Sequence, residues 1–522
     1  MSHRGHCALQ HQLLQPVPRS HRAPDHTPHV ARAPLPGNTV ATTTLLHPGE
    51  PLFLRYHHPR PEQTSHRNSL PASVGTKASR ANPTAGAFAG PSHHHATLPF
   101  LPTRIHRRAY NTAMPEILQH VCGNGLHLLA EPMEGSKSLA MTMLLPAGVA
   151  HESADKLGAA ALLSEMMFRG AGKFDARAHS DALDRLGVQR HSAVQTEHIN
   201  FGATLLGNKR QEALPLLADM VTRPRLAEDS LEPARDLALQ SIDALEDEPQ
   251  DRVFDDLRRQ HLPDPLGRSH LGQRSHLEQL SLNDIRRFQQ NHFVPGRSIL
   301  AFAGNFTWTE LVEQVETVFD RWSGDAVEPT EGAAAPRGMF HRESDSTQLH
   351  IGIAYDTVAE PDEASVLQRA VQAVLSGGMS GRLFTEVREK RGLCYAVHAS
   401  YVGMRDRGFV LGYAGTTAAR AQETLDVMTA ELRRISEGIE ANEFDRAIVG
   451  MKSRLVMQGE STSARAGAIA RDQHLLGRPR TLDEQTARVA GVTLEAVRRF
   501  AAEHPAGPMT VVTIGPEALK PS

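Results

Sequence analysis

The sequence has few of the features that mark membrane, secreted or cysteine-rich proteins. No apolar run in its 522 residues approaches the roughly 18 residues that cross a bilayer. Three cysteines (Cys7, Cys122 and Cys394) exclude a disulfide framework or a cysteine zinc cluster and are typical of a reducing compartment. The first residues, MSHRGHCALQ, contain no apolar core of a secretory signal. A net charge of −3 gives no general attraction to nucleic acid or anionic membrane, so we expect neither as a partner.

Charge and proline are unevenly distributed along the chain. Residues 1–113 contain 14 of the 29 histidines and 15 of the 33 prolines, with 12 lysines and arginines against three acidic residues. Proline recurs too often there for a helix to persist, so we predict a disordered extension, or translation that starts at Met114. A transit peptide is the alternative, although proline spoils its amphipathic helix. The run from His93 to His95 could bind metal adventitiously.

The rest of the chain repeats one order of strands and helices. The Gly123-Asn124-Gly125 turn predicts a hairpin, followed by a helix over 157–168, a helix capped at Asp175, two strands and a long helix. The same order recurs in the second half, where SGRLFTEVREKRG is predicted to form the second helix. Landmarks repeat at offsets of 205 to 210 residues: Gly187 and Gly392, Phe201 and Phe409, Leu139 and Leu349. We therefore predict an α+β fold of two homologous domains from an internal duplication, each an antiparallel sheet packed with helices.

The segment VEPTEGAAAPRG, rich in proline, glycine and alanine, predicts a linker between the two copies. It divides the chain into an extension over 1–113, an N-terminal domain over 114–326, a linker over 327–338 and a C-terminal domain over 339–522. Both copies are then of ordinary domain size.

Residues 376–397, SGGMSGRLFTEVREKRGLCYAV, resemble a signature of the insulinase/pitrilysin metallopeptidases, which include mitochondrial processing peptidase. Further matching pieces occur in order: LPAG at 145–148, FRG at 168–170, PLGRSHLG at 265–272 and HFVPGRSILAFAGNF at 292–306. The resemblance implies that the two domains face each other as half of a clam-shell. Two such halves, fused or as separate chains, would enclose a peptide-sized chamber.

The resemblance also implies where zinc would bind. The family holds zinc on an H-x-x-E-H helix, in which the two histidines share a face and the glutamate acts as base; a downstream glutamate is the third ligand. Anchored on Phe168-Arg169-Gly170, the motif falls on Ala161, Ser164 and Glu165, and the downstream ligand on Ser241. One carboxylate does not hold catalytic zinc, so we expect no catalytic residue, metal or other cofactor in this chain.

Other histidines do not replace the missing ligands in this interpretation. No H-x-x-E-H or H-E-x-x-H string occurs anywhere in the chain. We interpret the remaining candidates as solvated or packed side chains: His151, His191, His198, His270 and His276.

The second half keeps a pair of residues that the family uses on substrate. In the family an arginine and a tyrosine seven residues apart reach across the chamber toward the partner's zinc site, and here they are Arg388 and Tyr395. A guanidinium donates directional hydrogen bonds to carbonyls or a carboxylate, and a phenol can stabilise an oxyanion. Spacing alone would favour a surface arginine and a packed tyrosine. The first half has Leu183 and Arg190 at the corresponding positions, so the pair is peculiar to the second half.

The glycine-rich run Gly377-Gly378-Met-Ser-Gly381 is not a phosphate loop, since G-x-x-x-x-G-K-[ST] is absent. We expect it to end one helix and begin the next, with free backbone N–H groups available to a peptide. The non-catalytic subunit of mitochondrial processing peptidase uses a glycine-rich loop for substrate, and this segment is similar in place but shorter. We therefore predict substrate binding by Gly377 and Gly378.

These observations favour a non-catalytic, substrate-binding subunit of a two-chain zinc metallopeptidase that degrades or processes peptides. Its partner would be a zinc-competent homologous subunit, in a heterodimer, or a second copy in a homodimer. The alternatives are a structural or assembly protein derived from a processing peptidase, and a zinc endopeptidase with unorthodox ligands. The lack of a credible import helix favours the bacterial cytoplasm over the mitochondrial matrix.

Overall fold

The computed structural model describes residues 116–522, so the predictions for residues 1–113 lie outside the described residues. The first half begins with a strand and ends with a helix, α8, that follows the last strand of its sheet. Its strands are β1 (Leu118–Val121), β2 (His127–Pro132), β3 (Ser138–Leu145), β4 (Gly170–Ala171), β5 (Phe174–Asp175), β6 (Gln189–Val194), β7 (Ile199–Leu206) and β8 (Ile299–Gly304). Its helices are α1 (Ala159–Met166), α2 (Ala176–Arg185), α3 (Arg210–Thr222), α4 (Leu231–Asp247), α5 (Pro249–His261), α6 (Arg274–Leu277), α7 (Leu282–His292) and α8 (Trp308–Phe319).

The second half follows the same plan. Its strands are β9 (Met339–Glu343), β10 (Gln348–Thr357), β11 (Cys394–Gly403), β12 (Gly408–Thr417) and β13 (Thr510–Gly515). Its helices are α9 (Ser365–Ser376), α10 (Ala421–Arg434), α11 (Ala441–Gly459), α12 (Thr462–Leu476), α13 (Leu482–Ala490) and α14 (Leu494–Glu503). A π-helical segment, Phe384–Glu389, lies between α9 and β11. None of the described helices is long and apolar enough to cross a bilayer.

The two sheets have the same topology. The first has the order β1-β2-β8-β3-β7-β6, and the second has the order β9-β13-β10-β12-β11. In each, one pair is parallel (β2 with β8, β9 with β13) and the other pairs are antiparallel. Among the described residues only β1 has no counterpart in the second sheet. The predicted α+β class with two homologous halves is confirmed, while the exact domain boundaries stay predictions.

Local sequence explains most helix ends. Asp175 caps α2, because its carboxylate accepts a hydrogen bond of 2.8 Å from the Ala178 backbone N–H. The helix predicted over 157–168 is shorter, Ala159–Met166, because Gly158 precedes it in a left-handed conformation with φ of 112°. The segment SGRLFTEVREKRG was expected to form an ordinary helix, and it instead contains the π-helical turn Phe384–Glu389.

Each sheet is covered on one face by a helix from the other half. Helix α5 packs on β10, β12 and β13, and α12 packs on β2, β3 and β8. The first contact buries Val253, Phe254 and Leu257 of α5. The second contact buries Ile469 and Ala470 of α12. The two halves therefore exchange equivalent helices and share their cores.

A buried ion pair lies within this exchange. Arg465 of α12 is 1% exposed, and its Nε donates to Glu131 Oε2 of β2 at 2.8 Å. Two charges taken out of water are tolerated only when each is paired, so this contact fixes how α12 sits on the first sheet.

Histidines and charged residues meet where α12 contacts the turns of both sheets. His198, in the turn before β7, stacks edge-on against His474 of α12 with ring centroids 4.5 Å apart. His474 Nε2 lies 3.0 Å from Glu197 Oε2, and Arg405 lies 3.6 Å from the same carboxylate. Burial, then the charge of His474, lowers the pKa of His198 to about 3. Burial opposes ionisation of Glu197, but the His474 hydrogen bond and the charges of His474, His198 and Arg405 together outweigh it and lower that pKa to about 2.

This cluster predicts loss of stability in mild acid. The unfolded chain binds a proton at His198 near pH 6.5, and the folded chain binds it only near pH 3. The free energy of unfolding therefore falls as pH drops between those values, by up to about 1.4 kcal/mol per pH unit from this residue. The groups that face His198 are Glu197, His474, His151 and Arg405. Urea unfolding at pH 7, 6 and 5 should show a shallower pH dependence for His198→Gln than for the unmodified protein. Equal slopes would contradict the prediction, and exposed His504→Gln is the control.

Candidate functional site

Helix α1, where the family's zinc motif would lie, is held by a buried glutamate. Glu152 Oε1 accepts hydrogen bonds from the backbone N–H groups of Gly158 (3.0 Å) and Ala160 (2.8 Å). Burial raises the pKa of Glu152 to about 7, although both N–H groups favour the ionised form. Because its Oε1 accepts two backbone hydrogen bonds at the start of α1, we assign Glu152 to anchoring that helix end.

The motif positions themselves carry poor metal ligands. Ala161 has no donor atom, and the Ser164 hydroxyl lies 2.7 Å from the Ser192 hydroxyl of β6. Glu165 is partly buried, and burial raises the pKa of its carboxyl group, with Arg169 acting in the opposite direction. Ser241, on the neighbouring helix α4, donates to the Leu237 carbonyl oxygen at 2.9 Å, a bond within its own helix.

This donor set does not fit zinc. A catalytic zinc site needs three protein ligands from histidine, glutamate, aspartate or cysteine, and only Glu165 qualifies here. Within residues 116–522, Glu165 belongs to no group of three such side chains close enough to share an ion. No catalytic step through a metal at α1 is therefore derived for this chain.

Arg388 lies on the irregular helix before β11. The Lys390 N–H bonds to the Thr385 carbonyl oxygen at 2.9 Å, the five-residue spacing of a π-helix, which is frequent at functional sites. Arg388 is exposed, and its guanidinium carbon lies 4.8 Å from the centre of the Phe384 ring. Its neighbour Arg391 is instead paired with Glu386. Among the described residues, Arg388 has no carboxylate partner, so its charge remains available to a ligand.

Tyr395 lies on a β-bulge. The register of β11 against β12 runs from Cys394 opposite Thr416 to Ala396 opposite Gly415, so Tyr395 is the extra residue. Bulges re-aim side chains and are common next to active sites. Tyr395 is 46% exposed, because it lies near the start of β11, the edge strand of the second sheet.

Neighbouring strands hold the Tyr395 ring in place. Its hydroxyl donates to Gln348 Oε1 of β10 at 2.8 Å. A Cβ atom added to Gly415 of β12 would lie 2.5 Å from the Tyr395 oxygen, so only glycine leaves room for the ring. Deeper on the sheet, Tyr413 bonds to His350 Nδ1 at 2.8 Å. Burial raises the pKa of Tyr395, so its phenol stays protonated and can donate a hydrogen bond at neutral pH.

The glycine-rich run lies at the other end of the helix that carries Arg388. Gly377 ends α9, Gly378 has φ of 152°, and Met379 is 75% exposed. Beside it, α9 and α11 enclose a small cavity of about 30 Å³ lined by Gly377, Ser380, Gly381, Glu443, Arg446 and Arg454. No described contact joins Gly377 or Gly378 to Arg388 or Tyr395, and none joins Arg388 to Tyr395, so the substrate-binding role of these four residues stays a prediction.

Two residues of this surface were not predicted. Gln348 and Gly415 are 47 and 20 positions away from Tyr395 in the sequence, and only strand pairing brings them beside it. Neither a polar residue at the start of β10 nor a glycine near the end of β12 indicates in the sequence that it will contact Tyr395.

Comparison with protein-family models agrees with this geometry. Residues 129–274 match the model described as insulinase (peptidase family M16), and residues 279–451 match that of the peptidase M16 inactive domain. The chain belongs to the insulinase family. The insulinase match lies in the first half. The inactive-domain match begins near the end of the first half and includes Arg388 and Tyr395.

Two relatives of this family member come from bacteria. An uncharacterized zinc protease of Streptomyces coelicolor is 29% identical over 406 residues, covering 75% of this chain and 88% of that protein. The uncharacterized zinc protease YmxG of Bacillus subtilis is 27% identical over 415 residues, covering 78% of this chain and all of that protein.

Solved structures share the fold. A peptidase M16 inactive domain from Pseudomonas fluorescens has a TM-score of 0.71 at 22% identity, covering 78% of this chain and 99% of that one. A protease from Helicobacter pylori has a TM-score of 0.72 at 19% identity, covering 78% of this chain and 100% of that one. A chain of complex III from Candida albicans has a TM-score of 0.66 at 18% identity, covering 77% of this chain and 96% of that one.

Proposed function

We propose that this insulinase-family chain is the non-catalytic, substrate-binding subunit of a two-chain zinc metallopeptidase that cleaves peptides. The observation that carries the proposal is the contrast between its halves. The first half has no zinc ligand set at Ala161, Ser164, Glu165 and Ser241, and the second half presents Arg388, which has no carboxylate partner within residues 116–522.

The partner in this proposal is a zinc-competent homologous subunit. Zinc bound by that subunit would polarise the scissile carbonyl and activate water, and this chain contributes no metal ligand to it. The Arg388 guanidinium would hold a substrate carbonyl or carboxylate, and the Tyr395 hydroxyl would donate to the developing oxyanion. Gly377 and Gly378 would offer backbone N–H groups to an extended peptide.

The bacterial cytoplasm is the compartment that fits best. Its reducing conditions suit the two cysteines within the described residues, both of which are unpaired and buried. The bacterial relatives support the same assignment.

A cleavage assay with two proteins tests the proposal. The purified 522-residue chain, the zinc-competent homologue from the same genome, and their mixture are each incubated with a quenched fluorescent peptide library, with and without a chelator. We expect no chelator-sensitive cleavage by this chain alone, because its motif positions hold one carboxylate. We expect cleavage by the mixture to exceed that of the homologue alone.

Two results would contradict the proposal and favour its alternatives. Chelator-sensitive cleavage by the single chain would point to an endopeptidase with unorthodox ligands. A stable complex in which this chain changes neither rate nor peptide preference would point to a structural role. Glu165→Ala is the matched control for both results, because it removes the last carboxylate at the motif positions and leaves Arg388 and Tyr395 unchanged.

A further inference from the structure

The turn between β1 and β2 is fastened to the end of α8. The Asn124 amide nitrogen donates to the carbonyl oxygens of Phe319 (2.9 Å) and Trp322 (3.0 Å). Within the turn, the Cys122 N–H donates to the Leu126 carbonyl oxygen at 2.9 Å. The backbone around Cys122 is therefore fixed relative to α8 by bonds that do not involve the side chain of Cys122.

Three side chains with metal-binding atoms converge at this junction. His120 Nε2 of β1 lies 2.8 Å from Glu316 Oε1 of α8, and the Cys122 thiol lies within 4.8 Å of both atoms. Cys122 is 4% exposed, whereas the His120 and Glu316 side chains are 35% and 42% exposed. The buried sulfur and the two more exposed ligands together form a site open to solvent on one side.

We propose that His120, Cys122 and Glu316 bind a divalent cation of the zinc type, with water as the fourth ligand. Imidazole nitrogen, thiolate sulfur and carboxylate oxygen are the donors that zinc takes, at bond lengths of about 2.0 to 2.3 Å. In a tetrahedron these bonds place donor atoms roughly 3.3 to 3.8 Å apart. The present 2.8 Å His–Glu contact opens by side-chain rotation to that spacing. Binding replaces the thiol proton, which passes to solvent, and involves no change of oxidation state.

This site is separate from the family's zinc position on α1. It uses β1, the one strand of the first sheet without a counterpart in the second, and a helix residue 196 positions beyond His120. A His–Glu ion pair alone would account for the short contact between His120 and Glu316. That ion pair would not account for the buried Cys122 thiol, which lies within 4.8 Å of both side chains. A bound ion would tie β1 to α8 and so close a long loop of chain.

Cobalt is the probe that distinguishes this site from the histidine-rich residues 1–113. A Co²⁺–thiolate bond gives a near-ultraviolet charge-transfer absorption that histidine and carboxylate ligands do not give. Cys7 follows His6 and could give the same signal, so titrations use the full chain carrying Cys7→Ser. We expect one equivalent of Co²⁺ with thiolate absorption, displaced by Zn²⁺. Cys394→Ala in the same background is the matched control and should leave the signal unchanged.

Ligand variants decide the assignment. Adding Cys122→Ser should abolish the thiolate absorption, and His120→Ala or Glu316→Gln should each weaken Co²⁺ binding by at least about tenfold, the cost of losing even an outer partner of a metal site. Zinc should raise the thermal midpoint of the Cys7→Ser protein and not that of Cys7→Ser with Cys122→Ser. No thiolate band in the Cys7→Ser protein, or a band that survives Cys122→Ser, would overturn the proposal. If His120→Ala and Glu316→Gln both bound Co²⁺ with undiminished affinity, Cys122 would bind the metal alone and the three-residue site would be wrong.

Discussion

Arg388→Ala is expected to lower kcat/KM of the proposed two-chain peptidase by about 100- to 1,000-fold, because it removes the group that would hold a substrate carbonyl or carboxylate, a loss comparable to that of one hydrogen-bond donor at a reacting carbonyl. The guanidinium of Arg388 contacts only the Phe384 ring among the described residues, so its loss leaves no buried charge unpaired. The variant should therefore fold and bind its partner normally. Steady-state kinetics on a single fluorescent peptide, at matched complex concentration, measure the effect.

Two variants make this result specific. Arg391→Ala lies on the same turn but pairs with Glu386 at the surface, so kcat/KM should change less than about twofold. Tyr395→Phe keeps the ring over Gly415 and removes the hydroxyl bonded to Gln348, which should lower kcat more than it raises KM. An unchanged kcat/KM in Arg388→Ala would show that Arg388 has no part in the reaction, whatever the partner.

Arg465→Ala should lower the free energy of unfolding by about 3 to 5 kcal/mol, because it leaves Glu131 charged and unpaired between α12 and the first sheet. Urea denaturation followed by circular dichroism measures the change. Arg478→Ala, which breaks an exposed pair with Glu484 just after the same helix, should cost less than about 1 kcal/mol.

A double variant separates charge from packing. Glu131→Leu with Arg465→Met removes both charges and keeps apolar volume, so it should recover most of the stability lost in Arg465→Ala. If the double variant were as unstable as the single one, the loss would come from packing of α12 and not from an unpaired charge.

Local features of the fold were predictable because they depend on neighbouring residues. The hairpin at Gly123-Asn124-Gly125 is confirmed by the antiparallel pairing of β1 with β2. The cap of α2 at Asp175 is confirmed by its bond to Ala178. The duplication was visible because equivalent glycines and apolar residues recur at nearly constant offsets.

Features set by distant residues were not predictable. An amphipathic pattern shows that α5 buries a face, but it does not show which sheet covers that face, and the sequence of α12 is barely amphipathic. The bulge at Tyr395 comes from pairing with β12, and its hydroxyl partner Gln348 is placed by β10. In the same way, the sequence around Cys122 did not indicate that Glu316, on a helix nearly 200 residues later, would lie beside it.

The exchange of α5 and α12 has the symmetry of a dimer. Each copy of the repeated unit gives its equivalent helix to the other copy and receives one back. That reciprocal arrangement is what two identical chains form when they swap an element across a twofold axis. A single copy of the repeated unit would leave one face of its sheet bare. We therefore expect neither half to fold without the other half or a second copy of itself.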